Sequence, residues 1–299
     1  METLEYFSIF MILDSSLTNT TIYVNSYPHY DDVYRPLIGG IQMQYVSFFS
    51  VAICSLAFPV DFSNKKGFVT AGHCGDEWWP NKVYQPYSVS ASLPWRNVIG
   101  NIVRDSPDTG ESIVDAAIIQ LDPSGIPGPV DYSPFIFENR AELNQSHLKD
   151  SSGKVGIFDY QYPTERDIGY PTVFYKSGRT TGVTWGILVN INRECFDNPY
   201  GTFCVNPVMV LAKYFNEERI IYEGPMADSG DSGGVVYKRF LYYSELGGRI
   251  RQYAAIVYGI VTGKQGDWMY ASLALNVVKQ WSDVKPIRCI PSTYLDCGL

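Results

Sequence analysis

The sequence is short of positive charge, of long apolar runs and of histidine, and each shortage closes off a class of function. Only 23 Lys and Arg stand against 31 Asp and Glu in 299 residues, a formal net charge of -8, and the basic residues are scattered. Nothing in that pattern neutralises a phosphate backbone, so nucleic acid is not an expected partner. No run reaches the roughly eighteen apolar residues of a spanning helix, so no membrane span is expected in this chain. Three histidines, His29, His73 and His147, and the lack of any Cys-x-x-Cys pair leave no zinc site of the usual spacing. No metal and no cofactor are implied. Charged residues make up only 18% against 45% hydrophobic, a balance that folds around a real core rather than staying disordered.

Six cysteines are present, and an even number allows three disulfides in fifteen connectivities. Disulfides favour an oxidising, extracytoplasmic compartment, or a hyperthermophile. The sequons at Asn19 and Asn144 fit an extracellular setting but occur at chance level. The first residues do not read as an intact secretory signal, because Glu2 and Glu5 stand where basic residues belong and Tyr6 to Leu13 is a short apolar core. The expectation is that any signal was removed ahead of this chain.

Residues 1–36 stand apart as an N-terminal extension or the remnant of a pro-segment, ending in the turn-rich Asn25 to Asp32. From Leu37 onward, short β-branched and aromatic runs alternate with Gly, Pro, Asn and Asp clusters. Examples are Tyr45 to Ala57, Gly67 to Ala71, Val98 to Val103, Ala116 to Leu121, Gly186 to Ile191, Val208 to Ala212 and Tyr253 to Val261. Many short strands predict an all-β sandwich or barrel. One helix is predicted over Ser272 to Trp281, where Leu273, Val277 and Trp281 recur at four-residue spacing.

Chemistry concentrates in three segments. Gly230-Asp-Ser-Gly-Gly234 is a glycine-rich turn with one hydroxyl, Ser232; glycines let the backbone bend so that consecutive N–H groups converge beside the serine oxygen and hold an oxyanion. The plain alternative is a surface turn. Phe68 to Cys74 runs a β-branched strand into small residues and His73, and imidazole is the usual base for a serine nucleophile. Asp115 opens the apolar run Ala116 to Leu121; a carboxylate at the mouth of a buried strand is costly unless it accepts hydrogen bonds, and orienting a histidine supplies one.

The order His, Asp, Ser, with Thr70-Ala-Gly-His-Cys74, Asp115-Ala-Ala-Ile118 and Gly230-Asp-Ser-Gly-Gly234, resembles the chymotrypsin-like serine peptidases. Lys176-Ser-Gly-Arg-Thr-Thr-Gly182 is similar to a segment of their bacterial branch, which includes α-lytic protease and the streptogrisins. The resemblance covers roughly residues 37 to 285. It implies two six-stranded antiparallel barrels with a C-terminal helix: a first barrel over 37–145 carrying His73 and Asp115, and a second over 146–299 carrying Ser232. It implies His73 as base and then acid, Asp115 as its orienting partner, Ser232 as nucleophile, and the N–H groups of Gly230 and Ser232 as the oxyanion hole. It matches Cys54 and Cys74 to a disulfide closing the histidine loop, while Cys195–Cys204 and Cys289–Cys297 are paired by proximity in the sequence.

By the same resemblance, Met226 lies at the base of the primary pocket with Ala227 beside it, and Thr262, Gly263 and Lys264 form its wall. An apolar floor cannot compensate a buried Lys or Arg charge, so cleavage after apolar or aromatic residues is expected. Lys264 departs from the usual glycine, and either narrows the pocket or contacts an acidic side chain. Leu37-Ile-Gly-Gly-Ile41 resembles the mature start of trypsin-like enzymes, but Lys176 occupies the place of the internal basic residue that serves the bacterial branch. A Lys176–Asp231 ion pair is therefore expected, with no cleavage before Leu37 or Ile38.

The resulting expectation is a secreted serine endopeptidase acting on polypeptides through an acyl-enzyme, with a protein inhibitor or its own N-terminal segment as a further partner. The alternatives are a catalytically silent two-barrel binding protein, or an esterase using the same triad.

Overall fold

Strand-forming runs bounded by turn residues become eighteen strands among the described residues, numbered here along the chain and divided between two sheets. The computed structural model describes residues 29–46, 51–75, 81–86, 97–107, 109–122, 130–138, 153–198, 201–213, 225–244 and 250–289. The eight-stranded sheet comprises β2 (Gln42–Val46), β3 (Val51–Ser55), β4 (Pro59–Phe62), β5 (Lys65–Thr70), β6 (Lys82–Tyr84), β7 (Val98–Asp105), β9 (Ala117–Leu121) and β18 (Val284–Pro286). Its order is β18-β4-β5-β9-β7-β6-β2-β3. The turn between β4 and β5 is two residues long, and Ser63 and Asn64 both take positive φ, the backbone that a twisted two-residue hairpin requires.

The ten-stranded sheet comprises β1 (Leu37–Gly39), β8 (Gly110–Ser112), β10 (Tyr132–Phe137), β11 (Lys154–Tyr160), β12 (Phe174–Gly178), β13 (Gly182–Asn198), β14 (Gly201–Lys213), β15 (Val235–Ser244), β16 (Ile250–Gln265) and β17 (Trp268–Leu273). Its order is β1-β10-β11-β16-β15-β12-β13-β14-β17, with β8 attached to β14 and β16 also paired with β17.

The all-β, two-sheet architecture is the one expected, and four details differ. The sheets hold eight and ten strands rather than six each. Three pairings are parallel: β1 with β10, β11 with β16, and β8 with β14. Sheet membership also crosses the division expected at residue 145, since β1, β8 and β10 join the second sheet while β18 returns to the first. The C-terminal helix is shorter than expected: α1 is Asn276–Gln280, and Ser272 and Leu273 finish β17. Four-residue spacing suits either element there, and pairing of Ser272 with Val208 and Ile260 decides for the strand.

One buried cluster is shared by the two sheets, with Phe68 and Ile118 from the first, Phe58 from the connection leading into β4, and Phe137, Tyr237 and Val257 from the second. Phe58 and Phe68 are 0% exposed, and burial of each contributes about 1.5–3 kcal/mol. That exceeds the ~1 kcal/mol ceiling of an exposed ion pair, so apolar packing holds the sheets together. Residues 29–36 belong to this junction. Tyr30 packs edge-on against Phe137, and the Gln85 side chain accepts from Tyr34 N–H (3.0 Å) and Arg35 (2.8 Å). The rest of the expected extension, residues 1–28, lies outside the described residues.

Candidate active site

The histidine loop is fixed by covalent and steric means. β5 ends at Thr70, and a single helical turn, Gly72–Cys74, follows. The Cys54–Cys74 disulfide ties that turn to β3. A Cβ on Gly72 would fall 2.1 Å from Ser106 Oγ and 2.9 Å from Asp115 Oδ1, so only glycine lets the loop close on the aspartate. Asp115 is 1% exposed and accepts twice from His73: the backbone N–H at Oδ1 (3.0 Å), and Nδ1 at Oδ2 (2.8 Å). A carboxylate at Nδ1 holds the ring proton there and leaves Nε2 as the basic nitrogen. The Asp115 backbone is held in turn, its N–H donating to Ser272 Oγ (2.9 Å), which lies 2.7 Å from Thr262 Oγ1.

Ser232 is half-buried in the turn that leads into β15. Gly233 has φ +81°, and a Cβ there would fall 2.2 Å from Ser55 O and 2.3 Å from Thr70 Oγ1, so the turn is pressed against the strand that delivers His73. Ser232 O accepts from Ser55 N–H (2.7 Å) and Gly230 O accepts from Ser55 Oγ (2.9 Å). The N–H groups of Gly230 and Ser232 have no acceptor among the described residues.

Asp231 turns away from the cleft into a fully buried site. Its Oδ2 accepts from Lys176 Nζ (3.1 Å), Thr181 Oγ1 (2.6 Å) and Asp228 N–H (2.9 Å), while Oδ1 accepts from Thr180 N–H (2.9 Å) and Thr181 N–H (3.2 Å). Lys176 is 0% exposed and also donates to Gly182 O (3.0 Å) and to Thr181 Oγ1. Burial alone pushes the Asp231 carboxyl up. The Lys176 charge, then the Thr181 hydroxyl and the backbone N–H groups, outweigh burial and hold it below the ordinary carboxylate range.

Met226 and Ala227 are each 3% exposed and pack with Phe174, Leu188, Val261 and Met269. Thr262 is buried with its hydroxyl on Ser272, Gly263 is half-buried, and Lys264 is exposed and paired with Asp228. Cys195 and Cys204 form a disulfide across β13 and β14. Cys289 is buried with Sγ 3.6 Å from Pro134 O, and its expected partner Cys297 lies outside the described residues.

The structure also shows participants that the sequence did not single out. Ser272 and Ser55 orient the aspartate and the serine turn, and Phe203 of β14 lies with its ring 6.1 Å from that of His73 and nearly parallel to it. A lone hydroxyl inside the apolar Ala271-Ser-Leu-Ala274 was a readable signal for Ser272; Phe203 offered none.

Solved structures share this fold. Thermobifida fusca protease A superposes with a TM-score of 0.53 at 17% identity, covering 84% of this chain and 98% of that one. A Nocardiopsis protease gives 0.51 at 19%, covering 83% and 97%. A glutamic acid-specific serine protease described as using a histidine triad in substrate binding gives 0.50 at 18%, covering 84% and 100%. The fold is that of the bacterial chymotrypsin-like serine proteases. No protein-family model matches the sequence, and no curated protein matches it. In this protease fold the imidazole–carboxylate pair comes from the first sheet, and the serine turn from the second. No helix among the described residues is long and apolar enough to cross a membrane.

Proposed function

We propose that this chain is a serine endopeptidase in which Ser232 attacks a peptide carbonyl, His73 takes and returns the proton, and Asp115 holds His73 in the required tautomer. The observation that carries the reading is the buried Asp115 carboxylate bound twice to His73, in a loop packed against the Ser232 turn. The tetrahedral oxyanion would be met by the N–H groups of Gly230 and Ser232, and each such donor contributes about 2.7–4 kcal/mol to the transition state. Collapse expels the amine with the proton from His73 and leaves an acyl-Ser232, which water hydrolyses by the reverse of the same steps.

The neighbour that uses a histidine triad in glutamate recognition has no counterpart here, since His29 and His147 are the only other histidines and neither stands in the segments that flank Ser232. A cleft floored by Met226 and Ala227 suits apolar or aromatic side chains. Activation would need no new amino terminus: Leu37 N–H is bonded to Asp131 O (2.8 Å) within β1, Leu37 and Ile38 are fully buried, and Lys176 already occupies Asp231. Two disulfides favour an extracytoplasmic compartment, and hence secretion.

The test is hydrolysis of a quenched-fluorescence peptide library, with products identified by mass, alongside an activated ester of matched sequence. The proposal expects cleavage within peptides and a fall on the order of a millionfold in kcat for Ser232→Ala, the scale on which a triad nucleophile is lost. Ester hydrolysis without peptide cleavage would replace the endopeptidase by an esterase.

A further inference from the structure

The open edge beside the serine turn, and the ion pair next to it, lead to a statement about substrate class that rests on the protease reading. The turn is joined to β16 by Gly233 N–H to Val261 O (2.8 Å) and Val261 N–H to Gly234 O (2.8 Å). Directly beyond, Gly263, Lys264 and Gln265 pair with Tyr270, Met269 and Trp268 of β17 on one edge, and no strand among the described residues pairs with the other. A peptide that adds to that edge as a strand brings a carbonyl to Ser232. The side chain of the residue under attack then falls between Thr262–Lys264 and Met226–Asp228, the segment that leads into the serine turn.

Those two segments are linked across the gap by Lys264 Nζ and Asp228 Oδ1, 2.6 Å apart, with side chains 42% and 43% exposed. Asp228 is the anchored end. Its Oδ1 also accepts from Ser229 N–H (2.7 Å), and its own N–H donates to Asp231 Oδ2 (2.9 Å). The Lys264 hydrogen bond, and after it the Ser229 N–H, keep the Asp228 carboxyl below the ordinary range, so Asp228 faces Lys264 as a carboxylate at neutral pH. Lys264 is the end on a flexible stem.

We propose that Lys264 and Asp228 are a mutually neutralising specificity pair: each masks the other's charge, so the cleft takes a neutral side chain at the residue before the cleaved bond. An acidic side chain there must compete with Asp228 for Lys264, and a basic one with Lys264 for Asp228. Removing one member unmasks the other, so Asp228→Asn turns the cleft toward acidic side chains and Lys264→Gln turns it toward basic ones. This is specificity held by an internal counter-charge rather than by shape alone.

The experiment compares kcat/KM for peptides that differ only at that residue, Glu against Gln and Lys against Met, at low ionic strength, in wild type, Asp228→Asn, Lys264→Gln and the double variant. Asn keeps an oxygen for Ser229 N–H, so the turn is preserved. The expected result is a rise of about threefold to fivefold in the Glu:Gln ratio for Asp228→Asn and in the Lys:Met ratio for Lys264→Gln, the upper part of the range open to partly exposed charges. Both ratios return to within about twofold of wild type in the double variant, and the gains shrink in 1 M salt. Ratios that stay within about twofold in both single variants, while a fluorophosphonate still labels Ser232 in each protein, overturn the pair and leave the protease reading standing. Absence of both labelling and cleavage in wild type overturns the reading itself, and the pair with it.

Discussion

Lys176→Met would remove the cation that faces Asp231 in a fully buried site. The lysine and Asp231 are both 0% exposed, and Lys176 Nζ donates to Asp231, Thr181 and Gly182. Methionine fills similar space but leaves the carboxylate without its counter-charge. Breaking a buried pair in this way costs about 3–5 kcal/mol. The lower end is expected, because Thr180, Thr181 and Asp228 still donate four bonds to Asp231. At about 2–4 °C per kcal/mol for a chain of this size, the thermal midpoint should fall by roughly 6–12 °C at pH 7. The deficit should also depend on pH. In wild type the folded-state pKa of Asp231 lies below its unfolded value, so its contribution is complete above about pH 4 and is lost only as pH falls through the lowered folded value. In the variant Lys176 no longer opposes burial, and the carboxyl rises from its wild-type value, held down only by the four remaining hydrogen bonds. Its penalty is then largest at neutral pH and fades on acidification, so the gap between the two proteins should narrow from pH 7 to pH 5. Near-UV circular dichroism on thermal ramps at both pH values reads this directly. A fall of less than about 2 °C, equal at pH 7 and pH 5, would refute the reasoning.

Gly233→Ala should displace the serine turn, because φ +81° and a backbone oxygen 2.2 Å from the new Cβ leave nothing soft to move. Peptide hydrolysis is expected to fall by more than about a hundredfold, and a variant within a fewfold of wild type would contradict that geometry. Ser272→Ala leaves the buried Asp115 N–H without its acceptor, a loss of about 1–3 kcal/mol. It should lower kcat with little change in KM, since Asp115 positions His73 rather than touching substrate; an unchanged thermal midpoint and kcat would dismiss the Ser272 link.

What was legible in the sequence was local. β5 and β9 were visible as β-branched and apolar runs, and the motifs at their ends, around His73 and Asp115, could be placed on strand termini from pattern alone. The register of those strands brings the two side chains together, and pattern does not encode register. Ser272 was assigned to a helix because four-residue spacing is satisfied equally by a strand that runs into a short helix; its pairing with Ile260 and Val208 is a tertiary fact. The parallel ladder of β8 on β14, which carries Phe203 toward His73, joins segments far apart in the chain, and neither segment announces the other. Lys264 was noticed as a departure, but its partner Asp228 became visible only when the strand edge and the serine turn were seen side by side.

The central claim is that Ser232 is an activated nucleophile, and intact-protein mass spectrometry after treatment with a fluorophosphonate tests it most directly. One adduct per chain, mapped to Ser232, absent from Ser232→Ala and strongly slowed in Asp115→Asn, is the result this account predicts. A folded wild-type protein that takes no adduct, or one labelled equally well without Ser232, would contradict it.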